Sequence, residues 1–314
     1  MSKLIINRIL TTIPLLMVIS ILTFAMVDLM PGSYAQNFLG SGATPDAVAE
    51  LEHELGLDRP FVTRYIDWLG DALTGDLGRS LHFNAPVETL IAESWGVTAS
   101  LVVGGMVVGV ALGLFLGIIA GLRPGSLTDR ISTVTASVIA AIPSFWLAMI
   151  LAIFFAVRWD LFPVLGYTSP TEDPVEWLRS ITLPSLALGV PSAALIARQM
   201  RSSMANVLQS SYIRAQRAMG LTRWQIVTRH ALKNAMIPVV TVIGFRLAVV
   251  IGQAFIVEIV FVMPGMGRQL ADAVQGQDLI YVQGGVLVVA AVIVTANMFI
   301  DVLYGLLNPK VRFD

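Results

Sequence analysis

The chain has 314 residues, of which 56% are hydrophobic and 13% are charged, and its formal net charge is −1 at pH 7. Soluble domains usually carry about 25% charged residues, so this chain has too little polar surface for an exterior that faces water. Cysteine is absent, which excludes disulfides and thiolate metal sites, and the three histidines lack metal-ligand spacing. The composition indicates an integral membrane protein and gives no argument for a metal centre.

Long runs without charged residues predict the membrane-spanning segments. A hydrocarbon core about 30 Å thick requires about 20 apolar residues, and its lack of water favours helices for runs of this length. Six runs occur, bounded by Arg8 and Asp28, Glu93 and Arg123, Arg130 and Arg158, Arg179 and Arg198, Lys233 and Glu258, and Leu279 and Ile300. The first run is longer than the apolar region of a signal peptide and is expected to be retained. The predicted fold is an all-α polytopic membrane protein with six transmembrane helices.

The distribution of Lys and Arg predicts the topology, because these residues mark cytoplasmic segments. Residues 31–96 contain ten acidic and three basic residues, whereas 198–235 contain seven basic residues and no acidic one. Both termini are therefore predicted to be cytoplasmic. The same alternation favours a full span for the fourth run, although Pro184 and Pro191 leave a re-entrant segment as the alternative.

The predicted organisation has three parts. Residues 1–30 form the cytoplasmic N-terminus and first span, 31–96 form an extracytoplasmic domain, and 97–314 form a five-helix core with cytoplasmic helices at 200–236. Glycine recurs every fourth residue in the second run, at Gly105, Gly109, Gly113, Gly117 and Gly121. Such spacing lines one helix face and predicts close packing against another helix.

The cytoplasmic segment 200–236 predicts two short amphipathic helices that meet at a glycine elbow. The mainly apolar face of the first comprises Met204, Val207, Leu208, Ser211, Tyr212, Ala215, Ala218 and Met219. Gly220 fits a helix stop, and Thr222 with Gln225 forms a capping box for the second helix, which runs through Trp224 to the fifth span. Such an elbow suits either a lipid surface or a groove on a soluble partner, and amphipathicity alone does not choose between them.

The residues of this elbow also carry a family resemblance. Residues 212–221 (YIRAQRAMGL) and 229–241 (RHALKNAMIPVVT) are similar to the coupling loop of binding-protein-dependent ABC importer permeases, in particular the dipeptide, oligopeptide and nickel branch. The general motif begins Glu-Ala-Ala, whereas Arg214, Ala215 and Gln216 stand there, and the distance from Gly220 to Pro238 is longer. Both departures resemble the peptide branch and remove the expectation of a carboxylate contact.

Further motifs extend the resemblance over nearly the whole chain. They are Pro31-Gly32, 55–60 (LGLDRP), 75–78 (GDLG), Ser80, 142–146 (IPSFW), 257–261 (VEIVF), 264–267 (PGMG) and Asn308-Pro309. The resemblance implies the ABC type I importer permease fold. It also implies that the ATPase couples through Tyr212, Arg214, Ala215, Arg217, Ala218, Gly220, Leu221 and Thr222.

The function that the resemblance implies is a permease subunit forming half of a translocation pathway for short peptides in a bacterial cytoplasmic membrane. The implied partners are a second, related permease in a heterodimer, two ATPase subunits that carry ATP and Mg, an extracytoplasmic substrate-binding protein and the lipid bilayer, with no nucleic acid. Segment 31–96, with Phe61, Tyr65 and Trp68, is either a small domain that receives or gates the delivered substrate or a solvated spacer.

Catalysis and cofactors are not expected on this chain. Its three lysines, Lys3, Lys233 and Lys310, are not part of a Gly-Lys-Ser/Thr phosphate-binding loop. Import of nickel or another solute by the same architecture is the first alternative function. An ion-coupled secondary transporter is the second, although such a protein usually needs protonatable groups at mid-membrane depth.

Two ionisable residues lie in or near the fifth run, Arg246 and Glu258. They are separated by about 18 Å along one helix and therefore do not pair within it. Charges at membrane depth usually face protein or water, so Arg246 either lines the translocation pathway or serves as a structural partner. Glu258, near the outer end, is predicted to be a gate or a structural contact.

Overall fold

The computed structural model describes residues 2–26, 29, 33–40 and 42–307. Within them the chain is mainly helical, and the pairing of Arg79 with Pro86 is an isolated β-bridge. The helices are α1 (Ser2–Ala25), α2 (Tyr34–Leu39), α3 (Pro45–Glu54), α4 (Phe61–Thr74), α5 (Val87–Leu122), α6 (Leu127–Ala140), α7 (Ser144–Leu151), α8 (Pro174–Leu208), α9 (Ser211–Ala218), α10 (Arg223–Gln225), α11 (Leu232–Val260), α12 (Met266–Gln275) and α13 (Leu279–Leu307). π-helical turns at Ala152–Arg158 and Ile226–Ala231 continue α7 and join α10 to α11. The predicted motifs at Pro31-Gly32 and Asn308-Pro309 lie outside the described residues.

Among the described residues, four single helices are long and apolar enough to cross a membrane. They are Val87–Leu122, Pro174–Leu208, Arg223–Val260 and Leu279–Ile300. The helices Leu127–Ala140 and Ser144–Arg158 provide a fifth if they are counted as one broken span. The apolar portion of α1 at Leu10–Ala25 is shorter. The all-α polytopic fold is thus established, while the count of six spans and the side of each terminus remain predictions.

The third predicted run, between Arg130 and Arg158, is broken, whereas the fourth, between Arg179 and Arg198, is one continuous helix. The third does not form one straight helix, because its two halves are bent by 96° at a break that contains Pro143. A proline disfavours helical backbone in the residue before it, which here is Ile142, and the first half ends two residues earlier, at Ala140. The fourth run, by contrast, is continuous through Pro184 and Pro191, and 78% of its apolar window is buried. It forms a full-length helix and not the re-entrant segment that was its alternative.

The chain divides into two compact units. One is built mainly from Val97–Pro264, and the other from Ile5–Gly96 together with Gly265–Thr295. The second unit thus combines most of α1 and the segment that follows it with residues 265–295. The three-part division remains a prediction.

In the first unit, α5 packs along α8 through its glycines. The neighbours of Gly105, Gly109, Gly113, Gly117 and Gly121 are Leu188, Ser192, Ile196, Met200 and Met204, in that order. The neighbours rise in steps of four together with the glycines, so the two helices run parallel. A Cβ added at Gly113 would lie 2.7 Å from the Cβ of Ile196. The helices therefore approach at a distance that only a residue without a side chain permits.

Candidate functional site

The cytoplasmic elbow begins where α9 ends at a left-handed glycine. Gly220 has φ +81°, a conformation that favours glycine because it lacks a Cβ. Its N–H donates to the carbonyl oxygen of Arg217 at 3.0 Å, and the N–H of Leu221 donates to that of Gln216 at 3.3 Å. This pair of bonds is the Schellman arrangement, which satisfies the last carbonyls of a helix.

The second leg of the elbow starts immediately afterwards with a complete capping box. The N–H of Gln225 donates to the Thr222 hydroxyl at 3.3 Å, and the N–H of Thr222 donates to the side-chain oxygen of Gln225 at 3.0 Å. The side chain of each residue thus accepts a hydrogen bond from the backbone N–H of the other, as the sequence predicts. Only Leu221 separates the stop of one helix from the cap of the next, so the turn has little conformational freedom.

The predicted amphipathic face of the first leg is wrong beyond Leu208. The helix is interrupted at Gln209 and Ser210, with Ser210 in extended backbone, and it restarts as α9. The interruption rotates the second half, so Ile213 is buried, whereas Tyr212 and Met219 are exposed. Helical periodicity does not predict which side chains of α9 are buried, because it assumes one continuous helix through Gln209 and Ser210.

The inward side of the elbow packs into the core of its unit. Ile213 and Ile226, one from each leg, are buried in the same hydrophobic cluster as Met200 and Met204 of α8. The side-chain amide of Asn234 also donates to the Tyr212 hydroxyl at 2.8 Å, which ties α9 to α11. Each leg is therefore anchored to a long helix, and a force on the elbow acts on both.

The outward side of the elbow is apolar. Tyr212, Met219 and Trp224 are 38%, 70% and 75% exposed, although the segment is predicted to face the cytoplasm. Ala215 and Ala218 are exposed beside them. Large exposed apolar side chains on a water-facing segment indicate a protein or membrane contact. Trp224 is not among the predicted site residues, although its place two residues after the cap is a usable signal.

A basic cleft lies beside this apolar face. Its volume is about 860 Å³, and its lining includes Arg214, Arg217 and Arg223 together with Leu208 and Leu221. Since residues 198–235 contain no acidic residue, the cleft is positively charged. Such a surface attracts acidic groups of a partner.

An ion pair between Asp129 and Arg201, which the sequence does not predict, stabilises the loop at 122–130. Both carboxylate oxygens of Asp129 accept hydrogen bonds from Arg201, at 2.7 Å from Nη2 and with a second bond from Nε. The N–H of Gly125 donates to the same carboxylate at 2.8 Å. The bonds from Arg201 are the largest cause that lowers the pKa of Asp129 to about 2. Asp129 is the single acid in the basic loop 122–130, and that isolation was the signal that could have revealed it.

The structure places Arg246 and Glu258 against different helices. Arg246 is 7% exposed, and its Nη2 donates to the Ser192 hydroxyl of α8 at 3.0 Å. Glu258 is fully buried and accepts a 2.6 Å bond from the Thr98 hydroxyl of α5. Both residues thus make contacts between helices within one unit. A place for either in a translocation pathway remains a prediction.

Comparison with known families decides the class of this protein. The family described as binding-protein-dependent transport system inner membrane component matches residues 113–313, and the N-terminal family of the same systems matches residues 1–102. The chain belongs to this permease family. It is accordingly a multi-pass protein of a bacterial inner membrane, and its family works with a substrate-binding protein and a separate ATPase.

Relatives match the permease along its whole length. It is 36% identical to the dipeptide transport system permease protein DppB of Escherichia coli K12, over 99% of each chain. It is also 36% identical to DppB of Alkalihalophilus pseudofirmus, over 98% of each chain. A protein of Brucella abortus that carries the name of a peptide transport system permease is 36% identical over 100% of each chain.

Solved structures show the same fold at low sequence identity. A chain of the inward-facing MetNI methionine ABC transporter matches with a TM-score of 0.53 and 19% identity, over 70% of the permease and 96% of that chain. A chain of an amino acid ABC transporter with histidines matches with a TM-score of 0.51 and 17% identity, over 71% of the permease and 94% of that chain. These similarities support the predicted permease fold.

Proposed function

We propose that this permease forms half of a pathway that imports short peptides, and that its elbow receives the movement of an ATPase. The observation that carries the coupling role is the construction of the elbow, in which a rigid turn at Gly220 joins two legs that are anchored to α8 and α11. The outer face of the elbow is apolar and unburied at Tyr212, Met219 and Trp224. A knob of this kind fits a groove on a soluble partner.

The coupling works by displacement of a stiff element. When the ATPases close around ATP and Mg, the docked elbow moves with them, and the anchored legs transmit the movement to the membrane helices. The pathway then switches between an outward and an inward opening. Tyr212, Arg214, Ala215, Arg217, Ala218, Leu221 and Thr222 form or support the docking surface. The Arg residues beside the cleft favour an ATPase groove with acidic side chains.

The other proposed partners follow because a permease that forms half of a pathway needs a second subunit to complete it. A second, related permease completes it as a heterodimer, two ATPases dock on the two elbows, and an external binding protein delivers the cargo. This chain binds no cofactor of its own in this arrangement. Peptides are the proposed cargo because relatives that share 36% of residues over 98% or more of the chain carry peptide or dipeptide transport names.

The test is ATP-dependent uptake by the reconstituted complex with its binding protein. Labelled short peptides of several lengths are offered beside nickel and a nickel chelate. Gly220→Pro is the decisive variant, because proline cannot adopt φ +81° and removes the N–H that donates to Arg217. Gly125→Pro is its matched control: Gly125 has φ +80°, also lies in a predicted cytoplasmic loop, and also donates its N–H, to Asp129.

We expect peptide uptake that requires ATP, is abolished by Gly220→Pro and persists in Gly125→Pro, with both variants inserted in the membrane. Uptake that survives Gly220→Pro would contradict the coupling role of the elbow. Uptake of a nickel chelate or another solute in place of peptides would preserve the architecture and overturn the cargo. Uptake that collapses with an uncoupler but survives ATP depletion would instead favour an ion-coupled transporter.

A further inference from the structure

A second pocket lies in the unit built from Ile5–Gly96 and Gly265–Thr295, separate from the elbow. Its volume is about 240 Å³, and three of its lining residues are aromatic: Phe24, Tyr34 and Trp68. An apolar cavity of about 150 Å³ holds benzene. The pocket is thus large enough for one aromatic or branched side chain with part of its backbone.

The aromatic wall is held in place by its own packing. Phe61, Tyr65 and Trp68 lie on one face of α4, and the ring of Phe24 from α1 is 5.4 to 5.5 Å from each of their ring centroids. The Tyr65 hydroxyl also shares a 2.8 Å hydrogen bond with the Ser20 hydroxyl. This preorganised wall makes the outer segment more than a solvated spacer.

Two buried polar groups on the pocket wall lack a hydrogen-bond acceptor among the described residues. They are the side-chain nitrogen of Gln283 and the hydroxyl of Tyr34, and the two residues are 5% and 4% exposed. Leaving a buried donor unsatisfied costs free energy, so native structures usually provide a partner. Burial raises the pKa of Tyr34, which keeps its hydroxyl protonated. Both groups can therefore donate to an oxygen atom of a ligand.

Charges of both signs line the same pocket. Arg59 and Arg64 are the basic residues of the lining, and Asp67 and Asp71 are the acidic ones. Arg59 and Asp67 are paired with each other, with 2.5 Å between Nη2 and Oδ2. The Arg64 guanidinium lies 5.5 Å from the centroid of the Phe24 ring, which brings one cation to the aromatic wall. A lining that is neutral in sum but carries both signs suits a zwitterion better than a simple anion or cation.

We propose that this pocket binds the end of a short peptide, with an apolar side chain against Phe24 and Trp68 and a carbonyl or carboxylate oxygen at Gln283. The inference rests on the proposed function, since it assigns a site to the same cargo. The lining is neutral in sum, which suits a dipeptide with two oppositely charged ends. In the predicted topology, this pocket lies at the extracytoplasmic ends of α1 and α13, where a delivered peptide arrives.

The test is calorimetric titration of the reconstituted complex in nanodiscs, without the binding protein. Glycyl-phenylalanine and glycylglycine are the two probes, because they differ only in the side chain that the aromatic wall receives. Gln283→Leu removes the proposed donor at similar volume. Gln275→Leu is the matched control, because Gln275 is an exposed residue of the same unit outside the pocket lining.

We expect saturable binding of glycyl-phenylalanine, and a dissociation constant about tenfold higher for Gln283→Leu, as the loss of one buried hydrogen bond implies. Glycylglycine should bind at least tenfold more weakly to the unaltered complex, because an apolar side chain is no longer buried. Gln275→Leu should match the unaltered complex. The comparison of the two peptides needs no variant and stands even if Gln283→Leu fails to fold.

Several results would overturn the site. They are absence of saturable binding, equal affinity for the two peptides, or equal affinity of Gln283→Leu and Gln275→Leu for glycyl-phenylalanine. Weaker association of Gln283→Leu with the binding protein, at unchanged peptide affinity, would assign the pocket to a protein segment instead. Uptake separates this inference from the proposed function: if dipeptides are imported while any of these results holds, only the site is refuted.

Discussion

The packing of α5 on α8 gives the most quantitative prediction, at Gly117. A Cβ added there would lie 2.6 Å from the Cβ of Met200, 2.7 Å from the carbonyl oxygen of Ala197 and 3.0 Å from its Cα. Two of these three atoms belong to the backbone and cannot move by changing rotamer. Because carbon atoms rest at about 3.5–4.0 Å, Gly117→Ala must separate the helices by about 1 Å.

The expected cost combines two opposing effects. Overpacking of a tight contact typically costs about 1–3 kcal/mol, and a gap of about 0.5–1 Å forfeits a quarter to a half of the dispersion energy of each contact along the seam. Alanine is intrinsically better than glycine in a helix by about 1 kcal/mol. Gly96→Ala, in the same helix with nothing within 4 Å of its added Cβ, measures that second effect alone.

The assay is reversible unfolding of the purified permease by SDS in mixed micelles, followed by far-ultraviolet circular dichroism. The free energy of unfolding of Gly117→Ala should be about 1–3 kcal/mol lower than that of Gly96→Ala. If the two variants shift the unfolding free energy equally, the helices are not in the close contact described, and the reasoning fails.

Two further predictions concern the buried charges. Asp129→Asn should lower the free energy of unfolding by about 1.5–3 kcal/mol at pH 7, because Arg201 loses a charged acceptor. The folded-state pKa of Asp129, about 2, is below the unfolded value of about 3.9, so this stabilisation is complete above about pH 5 and is lost as the pH falls towards 2. Unfolding titrations of both proteins over that range should therefore converge, and a difference that is constant with pH would argue against the ion pair. Thr98→Val should cost about 1.5–3 kcal/mol in the same assay, because a donor to the fully buried Glu258 is removed, and a change below 0.5 kcal/mol would show that other groups satisfy the carboxylate.

The sequence predicts well what depends on local composition. Charge-free runs reveal the long helices because the hydrocarbon core excludes unpaired charges over about 20 residues. The stop at Gly220 and the cap at Thr222 are also readable, since both rest on contacts within a few residues. These are the features for which a pattern and its structural cause lie in the same short segment.

Features that depend on distant contacts are not readable in this way. The carboxylate of Asp278 accepts bonds from Ser80 and from the N–H of His82, which lie almost 200 positions earlier in the chain. Pro143 signals a break, but nothing local fixes an angle of 96°. The burial of Ile213 in place of Tyr212 depends on which side α8 occupies. A single sequence contains the residues of such contacts but not their pairing.

The repeat of glycines along α5 also restricts how α5 and α8 can slide. Each glycine forms a notch that receives one residue of α8, and the notches recur every four residues, about 6 Å apart. A smaller axial shift would push side chains such as those of Ile196 and Met200 onto the ridges between the notches. The packing therefore holds the two helices in one register along their common axis. A displacement applied to α8 at its cytoplasmic end moves α5 by the same amount, so bending must take place at other joints, such as the break at Pro143.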